Sequence, residues 1–494
     1  MHTITSVLSF GKEPKTSSFL AVKRSRKTPG VTLNPRFKNQ VSFFGVCVTR
    51  YAQTYSTLKE QALFFNYGLT DITPEEPIFL GGYANRKGLS GAVHRRLTSR
   101  CVVIKQDDVL LCLIVNDLMD VDPEIIRTIS AQVSQKTGMD NDSILIMSIH
   151  THSAPEMEYG RSGANDRYTD FVIRAVSENA INVINEISGF RSAKMRMGKA
   201  LCGINMARRD IKPEGGGMAY RVGDPDGLRD EEVGILQLTD DLGERKVTLF
   251  NYACHPVTLG YESNYISTDY PGKAREVVEH EYGGMSVFMN GAAGDLNPRD
   301  AHNIDPDITD RVGENLGKAI TSISFGKVLE NVDFRIIAKT IWVPFRDQII
   351  TKEHIKNEAR RKISDITEFF TWKAMLDRWE KKVYEMIDRN EVRDSFPFKI
   401  NVMKLGKAII FFTQGELFVR YQLELKKHFP DYQVFCVAYV HGIGAYIPTA
   451  DVFENKGYEA DQSYIYEVMP SPLSPQIEQI YLREAFDSIN ELLG

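Results

Sequence analysis

The run Ser148-Ile149-His150-Thr151-His152-Ser153-Ala154-Pro155 sets two imidazoles two residues apart, directly after the apolar segment Ile144-Leu145-Ile146-Met147. That segment reads as a short buried strand, and in an extended backbone residues i and i+2 point to the same side. Both imidazoles are therefore expected to leave the strand together and face one site. A sheet rim commonly presents a metal ligand, or a ligand with a proton-transfer partner, in this way. The competing reading is a pair of surface-turn histidines, because a lone HxH is a short motif. A second histidine repeats the syntax in Phe250-Asn251-Tyr252-Ala253-Cys254-His255-Pro256: apolar strand, histidine at its end, proline closing the turn.

Two oxygen donors fit the same scheme. Glu416 follows the buried run Ile409-Ile410-Phe411-Phe412-Thr413-Gln414-Gly415 and is expected to open a helix over 416–428. It reads either as a ligand or as a first-turn acid favoured by the helix dipole. Tyr446 lies in Gly442-Ile443-Gly444-Ala445-Tyr446-Ile447-Pro448-Thr449, as a site residue or as a packed ring. The turn Asn290-Gly291-Ala292-Ala293-Gly294-Asp295-Leu296-Asn297-Pro298 follows a strand expected at 285–289. It is not a phosphate loop, since no GK[ST] follows. Its small residues either let a substrate group approach the backbone or simply make a tight turn.

The elements that must position these groups read as α/β. Hairpin strands flank Gln106-Asp107-Asp108, and Asp122-Pro123 supplies an N-cap and first-turn proline for a helix ending near Gly138. With the strand at 144–149 this makes a βαβ unit. Helices are expected at 166–187, 271–282, 307–323 and 474–493. Strands are expected at 232–239, 246–252, 332–344, 399–404, 408–413 and 432–439. Over 352–389 the apolar positions Ile355, Ala359, Ile363, Ile366, Phe370, Leu376, Trp379, Val383 and Met386 make a long amphipathic helix or helical pair laid on the core. The fold class expected is one large layered α/β unit over 62–494, a mixed β-sheet flanked by helices. Residues 1–61 read as a basic, disordered extension in which Val41–Val48 is a poor signal-peptide core.

Composition narrows the function. The 494 residues are 43% apolar and 25% charged, as in an ordinary globular protein. A net charge of -5 gives no reason to expect nucleic acid. No apolar run approaches the ~20 residues of a membrane span, so a soluble protein is expected. Its compartment is open, with cytoplasm favoured over secretion. The six cysteines are scattered without a CxxC pair, which argues against a disulfide framework or a cysteine zinc site.

Taken together, these blocks resemble the neutral/alkaline non-lysosomal ceramidase family, zinc-dependent amidases that split the N-acyl bond of ceramide. The resemblance runs from Gly68-Leu69-Thr70-Asp71-Ile72-Thr73-Pro74 through Gly82-Tyr83-Ala84, His94–Arg100 and His150–Pro155. It continues through Asn251–Pro256, Thr268-Asp269-Tyr270-Pro271-Gly272, Gly294–Pro298, Gly415-Glu416, and Tyr446 with Tyr458-Glu459-Ala460. It implies one zinc ion held by His150, His255, Glu416 and Tyr446, with His152 transferring protons and Tyr458 supporting the oxyanion. It also implies a substrate-contacting arginine after Ile204-Asn205, for which Arg208 is the choice over Arg209. A lipid amide substrate is expected, and peripheral membrane contact stays open. Two departures are visible. The resemblance implies a serine where Gly291 stands, and on it the sequence is expected to span the family's catalytic domain without the carboxy-terminal immunoglobulin-like domain. The readings that remain beside a ceramidase are a hydrolase of a smaller non-lipid amide or ester and a metal-containing binding protein without turnover.

Overall fold

The computed structural model describes residues 62–157, 162–210, 217–218, 223–329, 332–365, 372–442, 444–454 and 457–494. The basic extension expected at 1–61 lies outside them. From residue 62 onward the chain is a mixed α/β fold whose strands are divided among several sheets.

Three sheets carry the architecture. The first has five strands in the order Ile144–Ser148, Val109–Asn116, Thr98–Gln106, Phe64–Asp71, Arg191–Ser192. The second orders Met285–Asn290, Lys246–Tyr252, Glu232–Thr239 and Lys194–Leu201. The third orders Phe334–Pro344, Ser395–Leu405, Ala408–Thr413 and Gln433–Val437. Most pairings are antiparallel, but each of these sheets holds one parallel pair at its edge. Each parallel pair is bridged by a helix: Pro123–Thr137, Asp269–Tyr282 and Val419–His428. A parallel pair needs such a crossover, and the open end of a βαβ unit is where α/β folds place their sites.

Alternation sorts the side chains into layers. Val102, Ile104, Leu111, Leu113 and Val115 enter one core, which the second sheet shares. Their neighbours Cys101, Val103, Cys112 and Ile114 face the opposite way, against Ile125, Ile129, Val172 and Val176 of two covering helices. The third sheet divides likewise. Met403, Ile410, Phe412 and Phe435 join the first core, while Ile400, Ile409 and Phe411 pack under the carboxy-terminal helix Ile477–Leu493. Both faces of each sheet are therefore covered, as the near-continuous apolar strands require.

The helix expected at 352–389 is a pair, Lys352–Asp365 and Trp372–Asp388. Ile355, Ala359, Leu376, Trp379 and Val383 are buried as their spacing demands. Ile363 departs from it and is exposed, while its neighbour Lys362 is buried against Asp461. Ile366 and Phe370 lie outside the described residues. All five described cysteines are buried free thiols.

Candidate metal and hydrolytic centre

The chain ends its parallel strands at one place. His150 follows Ile144–Ser148, His255 follows Lys246–Tyr252, and Glu416 follows Ala408–Thr413. The other strand of each pair leads to Leu118-Met119, to Asn290-Gly291, and to Ala438-Tyr439. Asparagine amides stitch these ends together. Asn290 Nδ2 donates to Ile149 O at 3.1 Å, and Asn251 Nδ2 donates to Met289 O at 2.8 Å and Cys436 O at 2.7 Å. Removing any of these would leave buried carbonyls unmatched, at about 1–3 kcal/mol each.

Two expectations about local backbone need correction. His150 and His152 do face one site, with their Nε2 atoms 3.2 Å apart, but not by strand alternation. The strand stops at Ser148, and His150 takes a left-handed conformation at φ 70°. Strain of that kind persists only where surroundings over-determine it. Here Thr151 Oγ1 donates to Ser267 O and Ser267 N–H donates to Ser153 O, both at 2.9 Å, clamping the turn. Glu416, in turn, does not open a helix. It forms a two-residue parallel ladder with Tyr446, and the helix begins only at Val419. Gly415 at φ 94° supplies the reversal that lifts Glu416 out of the sheet, which explains why a helix start looked natural from sequence.

The donor atoms converge closely. Glu416 Oε2 lies 3.0 Å from His255 Nε2 and 3.5 Å from His150 Nε2. Both imidazoles have their far nitrogens engaged by backbone. His150 Nδ1 is 2.9 Å from Met119 O, and His255 Nδ1 is 2.5 Å from Ala293 O. A carbonyl accepts only, so each Nδ1 carries the proton and each Nε2 presents a lone pair inward. Burial first of all holds His150 down to about 4 and His255 to about 3, so both are neutral at pH 7. The same burial pushes Glu416 up, despite His150 and Arg208 nearby. The short His–Glu separations are therefore not ion pairs. They are lone pairs aimed at one point, and Glu416 Oε2 has no hydrogen-bond donor.

These residues fit a metal ion. Ligands ~2.0–2.1 Å from a tetrahedral zinc stand about 3.3 Å from one another, close to the 3.0 and 3.5 Å between Glu416 and the two histidines. The ring nitrogens of His150, His152 and His255 all lie within 4.8 Å of one another, a group that could bind a metal. Backbone carbonyls behind the ligating histidines are the usual outer partners of such sites.

The other expected residues are placed as follows. Tyr446 is buried opposite Glu416, and the Arg208 guanidinium lies over its ring at 5.3 Å. Arg208 Nη1 reaches within 3.5 Å of His255 Nε2, while Nη2 donates to Glu459 Oε1 at 3.1 Å. Arg209 lies instead over Phe418, 3.8 Å from Glu459 Oε2. Tyr458 is half-buried with its ring 5.9 Å from that of Tyr446. His152 is neutral as well: burial, then His150 and His255, hold it well below the usual range.

Tyr439 was not singled out from the sequence, and Gly82 and Tyr83 were named there without a role. Tyr439 stacks on His150 at 4.3 Å, and it ends an apolar strand just as the two histidines do. Gly82 abuts His152 so closely that a Cβ would fall 2.5 Å from its Cγ, and the Tyr83 ring meets His152 edge-on at 4.9 Å. By contrast, His94 and the Thr268–Gly272 block serve the scaffold. His94 contacts Ser267 and Asp310, and Asp269 anchors Thr258 and Leu259.

What fold and donors define is an α/β protein with a buried histidine–carboxylate centre at its strand ends. Residues 65–300 match the family described as neutral/alkaline non-lysosomal ceramidase, N-terminal. The fold is similar to that of a neutral ceramidase from Pseudomonas aeruginosa, at a TM-score of 0.62 and 16% identity over 87% of this chain and 74% of that one. It is similar also to a ceramidase complexed with C2, at 0.61 and 14% identity over 87% and 75%.

Proposed function

We propose that the protein is a zinc-dependent hydrolase that cleaves the N-acyl amide bond of ceramide or a related N-acyl amine. The observation that carries this is the convergence of His150 Nε2, His255 Nε2 and Glu416 Oε2, with both Nδ1 protons held by backbone. The family match over 65–300 supports the reaction class. His150, His255, Glu416 and Tyr446 are the zinc ligands in this reading. When bound, zinc would acidify a water and polarise the amide carbonyl.

The chain's own residues supply the rest. His152 is neutral and half-buried beside His150, with no hydrogen-bond partner on Nδ1 among the described residues, so it can take a proton and return it to the leaving amine. The Tyr458 hydroxyl donates to the oxygen that gains charge at the carbonyl. Arg208 stays protonated: burial opposes this, but Tyr446, Glu459 and Glu416 outweigh it, and a fixed cation beside that oxygen helps. No serine is needed at 291, and a Cβ there would stand 3.0 Å from Ala253 backbone atoms.

The test is metal analysis followed by turnover. The purified protein is expected to carry close to one zinc per chain and to hydrolyse fluorogenic N-acyl amides. Substoichiometric zinc that reconstitution does not restore would end the metalloenzyme reading. Zinc without turnover of any amide or ester would leave a binding protein.

A further inference from the structure

Among the described residues, Arg86 is a cation without a counter-ion near the candidate centre. Its Nη1 donates to Gly81 O at 2.8 Å, and its guanidinium lies over the Tyr83 ring at 4.9 Å. The same ring meets His152 edge-on, also at 4.9 Å, so Arg86 and the proposed proton carrier share one aromatic neighbour. Arg86 Nε and Nη2 are shut off from bulk water and meet no acceptor. No carboxylate pairs with the guanidinium among the described residues, and burial lowers it only to about 10, which leaves it charged at neutral pH. Buried guanidinium donors without an acceptor are unfavourable unless an anion meets them.

We propose that Arg86 forms an anion subsite for the amine half of the substrate, so that the preferred substrates are N-acyl amines bearing a carboxylate or sulfonate, such as N-acyl amino acids. The assignment rests on the hydrolase reading above. Nη2 and Nε offer the paired donors that bind such a group in a plane, and Tyr83 holds the guanidinium flat.

The experiment uses the zinc-loaded full chain with lauroyl amides of glycine, taurine and ethanolamine, which share an acyl chain and differ in charge. The two anionic amides are expected to exceed the neutral one in kcat/KM by about ten- to a hundredfold. In Arg86→Gln that ratio should fall toward one, and Arg86→Lys should retain part of it. Equal or reversed selectivity in the parent protein, or an unchanged ratio in Arg86→Gln, would overturn the proposal. If Arg86→Gln does not fold, the parent's selectivity and that of Arg86→Lys decide. If no amide is cleaved, the hydrolase reading fails on its own. Calorimetric binding of N-lauroylglycine against N-lauroylethanolamine then decides the subsite, with about tenfold tighter binding of the anion expected and equal affinity overturning it.

Discussion

His255 Nε2 and Glu416 Oε2 stand 3.0 Å apart, with the His255 Nδ1 proton held by Ala293 O and the Nε2 lone pair turned toward the carboxyl. A cation between the two would be held by both. Metal should therefore stabilise the fold strongly. A ligand at a thousandfold excess over its Kd contributes about 4 kcal/mol, so zinc loading is expected to raise the melting temperature by several degrees and chelation to reverse it. Glu416→Ala and His255→Ala should lose both the bound metal and the shift, as atomic emission and calorimetry would report. A melting temperature indifferent to chelator would contradict this.

His150 and His152 are two residues apart yet are assigned different tasks, and a pair of variants separates them. His150→Ala is expected to lose the metal. His152→Ala should keep it while kcat falls by about a hundred- to ten-thousandfold, the usual range for a lost acid–base group. Metal content and steady-state rates on the same preparations give the answer. Equal metal loss in both variants would make His152 a ligand instead.

The metal-free protein should be acid-sensitive in a defined window. His150 is held to about 4 and His255 to about 3 by burial, against an ordinary 6.5. Between those values the unfolded chain binds protons that the folded chain refuses, so stability rises with pH there. It is full above about pH 6.5, where neither state is protonated. It is lost as pH falls toward 4, by an amount on the order of several kcal/mol. Urea unfolding of chelated protein from pH 7.5 to 4.5 reads this directly. Pre-loading with zinc should move the loss to lower pH.

Much of the site was legible because strand ends advertise themselves. Apolar runs closing on His-x-His-x-x-Pro and His-Pro could be placed without a structure, since burial forces the run and chemistry the terminus. What could not be read was how the ends turn. The left-handed backbone at His150 depends on Thr151 and Ser267 contacts that come from distant sequence. The Glu416–Tyr446 ladder depends on Gly415 meeting Ala445, where Glu416 N–H donates to Ala445 O at 2.9 Å. Local propensity saw an acid before a helical segment and extended the helix to it. The division into three sheets was equally hidden, because alternation reveals faces but not which strands pair.

Asp117 and Arg275 form a buried two-pronged pair, at 2.7 and 2.8 Å, just behind the Met119 carbonyl that orients His150. Asp117 also accepts from Thr98 N–H and Oγ1. Breaking one partner leaves an unmatched buried charge, which typically costs 3–5 kcal/mol, roughly. Asp117→Asn should therefore lower stability by about that amount, and it should weaken zinc binding as the 117–119 segment loosens. Arg275→Met with Asp117→Leu, which removes both charges, should recover much of the stability. Denaturant titrations of the single and double variants check the cycle.

Gly291 stands where the resemblance implies a serine, and its surroundings decide what placing a serine there would do. A Cβ at 291 would stand 3.0 Å from the Ala253 N, Cα and Cβ atoms, and Ala253 is fully buried two residues before His255. Backbone at that depth cannot move aside as a flexible side chain can. Gly291→Ser is expected to destabilise the protein by about 1–3 kcal/mol, the range for overpacking a core. Any shift of Ala253 carries His255 with it, so the same variant should lose amide hydrolysis rather than gain it. A faster enzyme with an acyl group trapped on residue 291, seen by mass spectrometry of the intact protein, would show instead that the site accepts a serine nucleophile.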